Sequence, residues 1–215
     1  MIDIISGIIL ICYIVKGVNR GLIRSVYHIL NVLIAAFCSF AVYPVVGLTL
    51  SRTPVREFFS NIGFERFVKP IDTNVAVENY IENFDKIYVR GASTLNTTEE
   101  AGRVIAYNVG NLVCNSIAYI LVFIALIYVV NYGLNRVKVL NKVRVLPLPV
   151  RSIGGGCFGA LRGIVILSVA YAVLEVVVPI FNNNFLNWFI QSRLDGIFVF
   201  KDVIIDVLSR ITYYN

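Results

Sequence analysis

The sequence predicts an all-α membrane protein: four transmembrane helices with extracytoplasmic amphipathic helices. Three observations lead there. The 215 residues are 58% hydrophobic and only 15% charged, whereas a soluble domain carries about a quarter charged residues. Two stretches, 25–51 and 104–135, have no formal charge, and each exceeds the roughly 20 apolar residues that cross a bilayer as a helix. The positive charge is concentrated in two short segments without acids, a pattern that orients helices in a membrane. Mean hydropathy is +0.77 and net charge +6.

The first candidate span is 2–18. Its uncharged core, Ile4 to Val15, holds only twelve residues, short for a hydrocarbon layer of about 30 Å. Asp3 and Lys16 then belong at the two interfaces, or the helix is tilted or re-entrant. A cleavable leader fits poorly, because Asp3 stands where lysine or arginine is expected and no A-x-A pattern follows. The run K-G-V-N-R-G-L-I-R brings Lys16, Arg20 and Arg24 into one turn and sets Gly17 and Gly21 four apart, as candidate helix-packing glycines.

The second span is 25–50, and Pro44 near its far end should kink or terminate the helix. His28 is either a proton relay or an interfacial hydrogen-bonding residue. Residues 52–103 form a polar extracytoplasmic insert with seven basic and eight acidic residues. Within it, the mixed pattern over 64–88 predicts short amphipathic helices, and 91–98 reads as a turn or loop. The third span is 113–134, preceded by an extramembrane helical start. Asn108, Asn111 and Asn115 recur at helical spacing and either glue helices together or line a polar path. Tyr119, Tyr128 and Tyr132 suit interface belts or helix contacts.

Arg136, Lys138, Lys142, Arg144 and Arg151 follow without an acid, and Pro147 and Pro149 should break any helix there. The excess of lysine and arginine places both short basic loops in the cytoplasm, with both termini and the insert outside. The fourth span, 156–178, lies in the stretch from Arg151 to Phe181. Gly155, Gly159 and Gly163, spaced by four, stack on one helical face and leave a groove for another backbone. Arg162 sits inside this span. Glu175 lies thirteen residues on, roughly 20 Å along a helix, so the two charges cannot pair and each needs another partner or water.

Residues 182–215 form an amphipathic C-terminal tail outside the 1–181 membrane domain. Its apolar face is Ile197, Phe200, Val203, Ile204, Val207, Leu208 and Ile211, set against Lys201, Asp202, Asp206 and Arg210. Those charges exclude a fifth span.

The chemistry-bearing residues are sparse. Cys12, Cys38, Cys114 and Cys157 lie in or beside apolar segments with no C-x-x-C, and read as small buried hydrophobes. With one histidine in the chain, no metal site and no cofactor are expected. The sequence lacks H-E-x-x-H, G-x-S-x-G and G-K-[ST], and nothing places Ser168 beside His28, so an enzyme is not expected. No basic surface interleaved with stacking aromatics supports nucleic-acid binding.

At K-G-V-N-R-G-L-I-R and at G-G-G-C-F-G-A-L-R-G-I-V-I the chain resembles the colicin V production protein (CvpA) family of small bacterial inner-membrane proteins. An acidic residue at Asp3 followed by an apolar stretch adds to the first match. Gly17, Arg20, Gly21 and Arg24 carry that motif; Gly155, Gly159, Arg162 and Gly163 carry the second. The resemblance covers 1–50 and roughly 113–181. The insert 52–103 is longer than in compact members, and the tail from Asn182 matches no motif. The resemblance implies a four-span membrane protein linked to colicin V (toxin) production or secretion and to envelope upkeep, with no catalytic residue to carry over.

The expected function is a non-enzymatic scaffold or export accessory in the bacterial cytoplasmic membrane. Its partners are the lipid bilayer and either further copies or other envelope proteins. The competing reading is an oligomeric channel or transporter, which requires Arg162 and Glu175 to face one shared wet cavity.

Overall fold

The computed structural model of the chain describes residues 2–65, 98–136, 147–181 and 200–210. These form helices α1 (Ile2–Arg20), α2 (Leu22–Ser51), α3 (Pro54–Gly63), α4 (Thr98–Arg136), α5 (Leu148–Phe181) and α6 (Phe200–Ser209), with no strand among the described residues. Helices satisfy every interior backbone group within themselves, as an apolar surrounding demands.

Three helices are long and apolar enough to cross a membrane: Leu22–Ser51, Glu100–Gly133 and Pro149–Val177. Helix α1 is shorter, at 19 residues, and includes Asp3, Lys16 and Arg20. Outward-facing side chains agree with an apolar surrounding. On α1, Ile4, Ile8, Ile11 and Val15 recur at spacings of three and four and are all exposed; Phe37 and Val45 on α2 and Ile124, Tyr128 and Val129 on α4 are exposed likewise. Such stripes would drive association in water but are matched by lipid tails.

Several boundaries differ from the sequence expectation. Helix α2 begins at Leu22 and runs through Pro44 to Ser51 instead of ending at the proline. One lost hydrogen bond is tolerated there because fully buried Tyr43 and buried Gly47 hold the helix on either side. Pro147 and Pro149 start a helix rather than break one. Pro149 is the second residue of α5, where backbone N–H groups have no intrahelical partner to lose. Helix α4 continues without a break from the insert into its apolar part. In the insert, the described amphipathic helix is α3, ahead of the 64–88 stretch; residues 66–97 lie outside the described residues, as do Lys138, Lys142, Arg144, Ile197 and Ile211.

The core lies between α2, α4 and α5, where Val32, Tyr43, Val113, Tyr119, Val169 and Ala172 are buried together. Tyr119 stacks on Phe123 at 6.2 Å and meets Tyr43 edge-on at 6.1 Å. It is a helix contact, whereas Tyr128 and Tyr132 face outward. Helix α2 turns small residues inward, among them Ser25, Ala35, Ser39 and Gly47, which lets its neighbours come close. Helix α3 packs along the first half of α4. A Cβ on Gly110 would lie 2.9 Å from the Arg56 carbonyl oxygen, and Arg56 donates to the Tyr107 hydroxyl at 2.9 Å.

The cysteines divide. Only Cys114 is buried, while Cys12, Cys38 and Cys157 face out of the bundle. The expectation of four buried thiols is thus corrected. In a lipid surrounding an outward small apolar side chain carries little penalty, so burial and hydrophobicity part company.

Helix α6 is also turned from its expected face. Lys201, Ile204, Ile205 and Leu208 point inward, whereas Phe200 and Val203 are 53% and 55% exposed. The inward set recurs at helical spacing and includes a charge because that charge meets a carboxylate, described next.

Candidate functional site: a glycine seam and a basic crevice

Helices α1 and α5 lie antiparallel along most of α1. At one end the Ser6 and Tyr171 hydroxyls share a hydrogen bond of 2.8 Å. Further along, Tyr13 faces Gly159 and Gly163, and Gly17 faces Gly155 and Gly159. At the far end Gly21 faces Gly155 and the Arg151 side chain. A Cβ on Gly159 would stand 2.5 Å from the Tyr13 carbonyl oxygen and 3.1 Å from the Gly17 Cα. A Cβ on Gly17 would meet the Gly155 carbonyl oxygen and stand 2.9 Å from the Gly159 Cα. The neighbours are backbone atoms, which cannot swing aside. Gly163 is less tightly enclosed, with Leu10 at 3.0 Å and Tyr13 at 3.2 Å from its Cβ position. The structure thus brings Gly17, Gly21, Gly155, Gly159 and Gly163 into one seam.

Gly21 has a second role. Its φ of 82° lies in the left-handed region, which side chains disfavour. There α1 ends and α2 begins, with Gly21 at the N-cap of α2. The Ser25 hydroxyl donates back to the Gly17 carbonyl at 3.2 Å and ties the junction together.

A crevice opens beside this junction. It has a volume of about 10 Å³, room for about one water molecule. Gly17 and Gly159 floor it; Tyr13, Lys16, Arg20, Ser25, His28 and Arg162 line it. The Arg162 guanidinium lies 5.5 Å from the centre of the Tyr13 ring, a favourable cation–π placement. Arg20, Arg24 and Arg162 all lie within electrostatic reach of His28. His28 hydrogen-bonds Asn131, whose side-chain oxygen also accepts from Asn31 at 3.0 Å. The His28 Nδ1 and the Arg162 Nε are buried atoms without a hydrogen-bond partner.

Glu175 lies elsewhere. Lys201 Nζ reaches Glu175 Oε2 at 3.1 Å and joins α6 to α5. Two further donors hold the end of α6: the Tyr43 hydroxyl donates to the Val207 carbonyl at 3.1 Å, and Asn115 Nδ2 to the Leu208 carbonyl at 3.0 Å. The last carbonyls of a helix lack intrahelical partners, so these two side chains cap α6 from neighbouring helices. Arg162 and Glu175 therefore serve different helix junctions and share no cavity among the described residues. The Ser168 hydroxyl donates to the Ile164 carbonyl of its own helix at 2.9 Å.

The sequence reading missed Lys201 as an inward residue, the capping by Tyr43, and Arg151 against Gly21, whereas Asn115, expected to glue helices together or line a path, does join two helices. Only Lys201 left a signal, its phase with Ile204, Ile205 and Leu208.

Long apolar helices with outward apolar stripes, held by buried polar links, define a helical multi-pass membrane protein. Residues 2–77 match the family model described as Colicin V production protein. The match includes Gly17, Arg20, Gly21 and Arg24, extends into the insert, and ends before the glycine-bearing α5. Among the curated proteins and among the solved structures, nothing matches.

Proposed function

We propose that the protein is a four-span component of the bacterial cytoplasmic membrane that supports colicin V production or secretion and envelope homeostasis as a non-enzymatic scaffold or export accessory. The family match over residues 2–77 carries this reading. Helix α1 is taken as the fourth span. Its 19 residues rise roughly 28 Å, close to the thickness of a hydrocarbon layer, and its isoleucine stripe faces outward.

The packing favours a scaffold over a channel. Among the described residues, polar side chains join helices at separate places, Ser6 to Tyr171, Asn31 to Asn131 and Lys201 to Glu175. Helices α3 and α6, fixed to the bundle at the end away from the basic turn, offer a surface for an envelope partner.

The test is complementation. A colicin V-exporting host lacking its own family member is given this chain, and secreted toxin is scored as a growth-inhibition zone beside a membrane fractionation. Restored export with the chain in the cytoplasmic membrane is expected. Full membrane accumulation with no gain in export would sink the proposal.

A further inference from the structure

We infer that the open mouth of the crevice at the α1–α2 junction is an anion site that takes a phosphate group, with Lys16, Arg20 and Arg162 as its ligands and Ser25 and His28 beside them.

The reasoning begins with charge. Lys16 and Arg20 come from α1, Ser25 and His28 from α2, and Arg162 from α5, so three helices converge on one small space. Among the described residues no carboxylate pairs with Lys16, Arg20 or Arg162. Gathering like charges is unfavourable, the more so as water is withdrawn. Ordinary snorkelling would separate these side chains into the headgroup layer. Here the seam prevents that for Arg162, whose stem rises from a helix locked against α1 by Gly17 and Gly159.

Hydrogen bonding points the same way. The buried Arg162 Nε and His28 Nδ1 both lack a partner, and an unmet buried polar atom is costly. A phosphate oxyanion would supply acceptors for the guanidinium and the ammonium together, and charge-assisted bonds of this kind are the strong ones. Arginine suits this role because its planar fork matches phosphate oxygens. The phosphate belongs either to an anionic lipid headgroup or to a free phosphate.

The test uses the full chain purified in dodecyl maltoside, which carries no phosphate. In one arm phosphatidylglycerol is added and retained lipid is counted by native mass spectrometry. In the other, inorganic phosphate is titrated and thermal unfolding is followed. Saturable binding is expected in at least one arm. Arg162→Gln and Arg20→Gln should each weaken it about tenfold, while Arg52→Gln, at the opposite end of α2, leaves it unchanged. Binding of the lipid alone identifies a headgroup site; a response to inorganic phosphate identifies a site for free phosphate. Should Arg162→Gln fail to accumulate, Arg20→Gln decides, because Arg20 ends α1 outside the seam. Absence of saturable binding in both arms, or equal loss with Arg52→Gln, overturns the inference.

Discussion

Lys201 and Glu175 form an ion pair of 3.1 Å that fastens the C-terminal helix α6 to the far end of α5. The lysine is nearly enclosed and the carboxylate half-open, with side-chain exposures of 10% and 38%. The pair therefore stands between a surface bridge, worth about 0–1 kcal/mol, and a fully buried one. Breaking it takes the carboxylate from a nearly enclosed lysine that stands beside the buried Ile204, Ile205 and Leu208 on its own helix. Lys201→Met should be mild, because a flexible apolar side chain fills the same space. Glu175→Gln should destabilise by about 1–3 kcal/mol. The exchange Lys201→Glu with Glu175→Lys should recover much of that loss. Thermal unfolding in detergent measures all three, and additive losses in the exchanged protein would argue against a direct pair.

The seam makes a sharper prediction. Gly17→Leu and Gly159→Leu place side chains against backbone atoms and should cost about 1–3 kcal/mol or more through overpacking. Gly159→Ala should already be harmful, with the Tyr13 carbonyl oxygen 2.5 Å from the new Cβ. Gly7 and Gly133 have nothing within 4 Å of a built Cβ. Gly7→Ala and Gly133→Ala should be neutral or stabilising by roughly 0.5–1 kcal/mol. Comparing membrane accumulation and melting temperature across these four positions separates seam glycines from incidental ones.

The capping of α6 predicts a local phenotype. Asn115→Leu removes the donor to the Leu208 carbonyl, a loss of about 1–3 kcal/mol where the acceptor stays buried, and Tyr43→Phe should cost less, because the Val207 carbonyl keeps the Arg210 N–H at 3.3 Å. The C-terminal segment should become sensitive to limited proteolysis while the glycine seam survives. Uniform destabilisation of the whole bundle would contradict a cap confined to α6.

Orientation can be read with single cysteines in a cysteine-free background. Probes at Asn83, Asn141 and Ser192 should label at 83 and 192, and not at 141, in intact cells. Labelling at 141 alone would invert the bundle; labelling at only one of the other two would change the number of crossings. The native Cys114 should stay unreactive until the protein unfolds, because it is buried.

The glycines on α5 were legible as a groove because a spacing of four places residues on one helical face. What fills the groove was not, because helix pairing is a tertiary choice that no local pattern encodes. Gly17 and Gly21 were legible as a packing pair by the same spacing, but their counterpart lies more than a hundred residues away. The same distance hides the crevice, whose cations come from helices that meet only in the folded chain. Lys201 was misassigned for a different reason. A charged residue was read as outward by default, and only its meeting with Glu175 reverses that. Pro44 and Pro149 show a third limit: a helix tolerates proline where packing or its first turn removes the penalty.

The antiparallel seam also has a consequence in time. Helix α1 leaves the ribosome before α5, yet the surface it rests on belongs to α5. At about 5–20 residues per second, on the order of ten seconds separate the synthesis of Gly17 from that of Gly155. During that interval the first helix has no glycine-bearing helix to rest against, and Ser6 has not yet met Tyr171. The N-terminal segment is thus among the earliest parts made and among the last to settle. A chain that stops before α5 leaves its opening helix stranded in lipid, in a form that membrane quality-control proteases can extract.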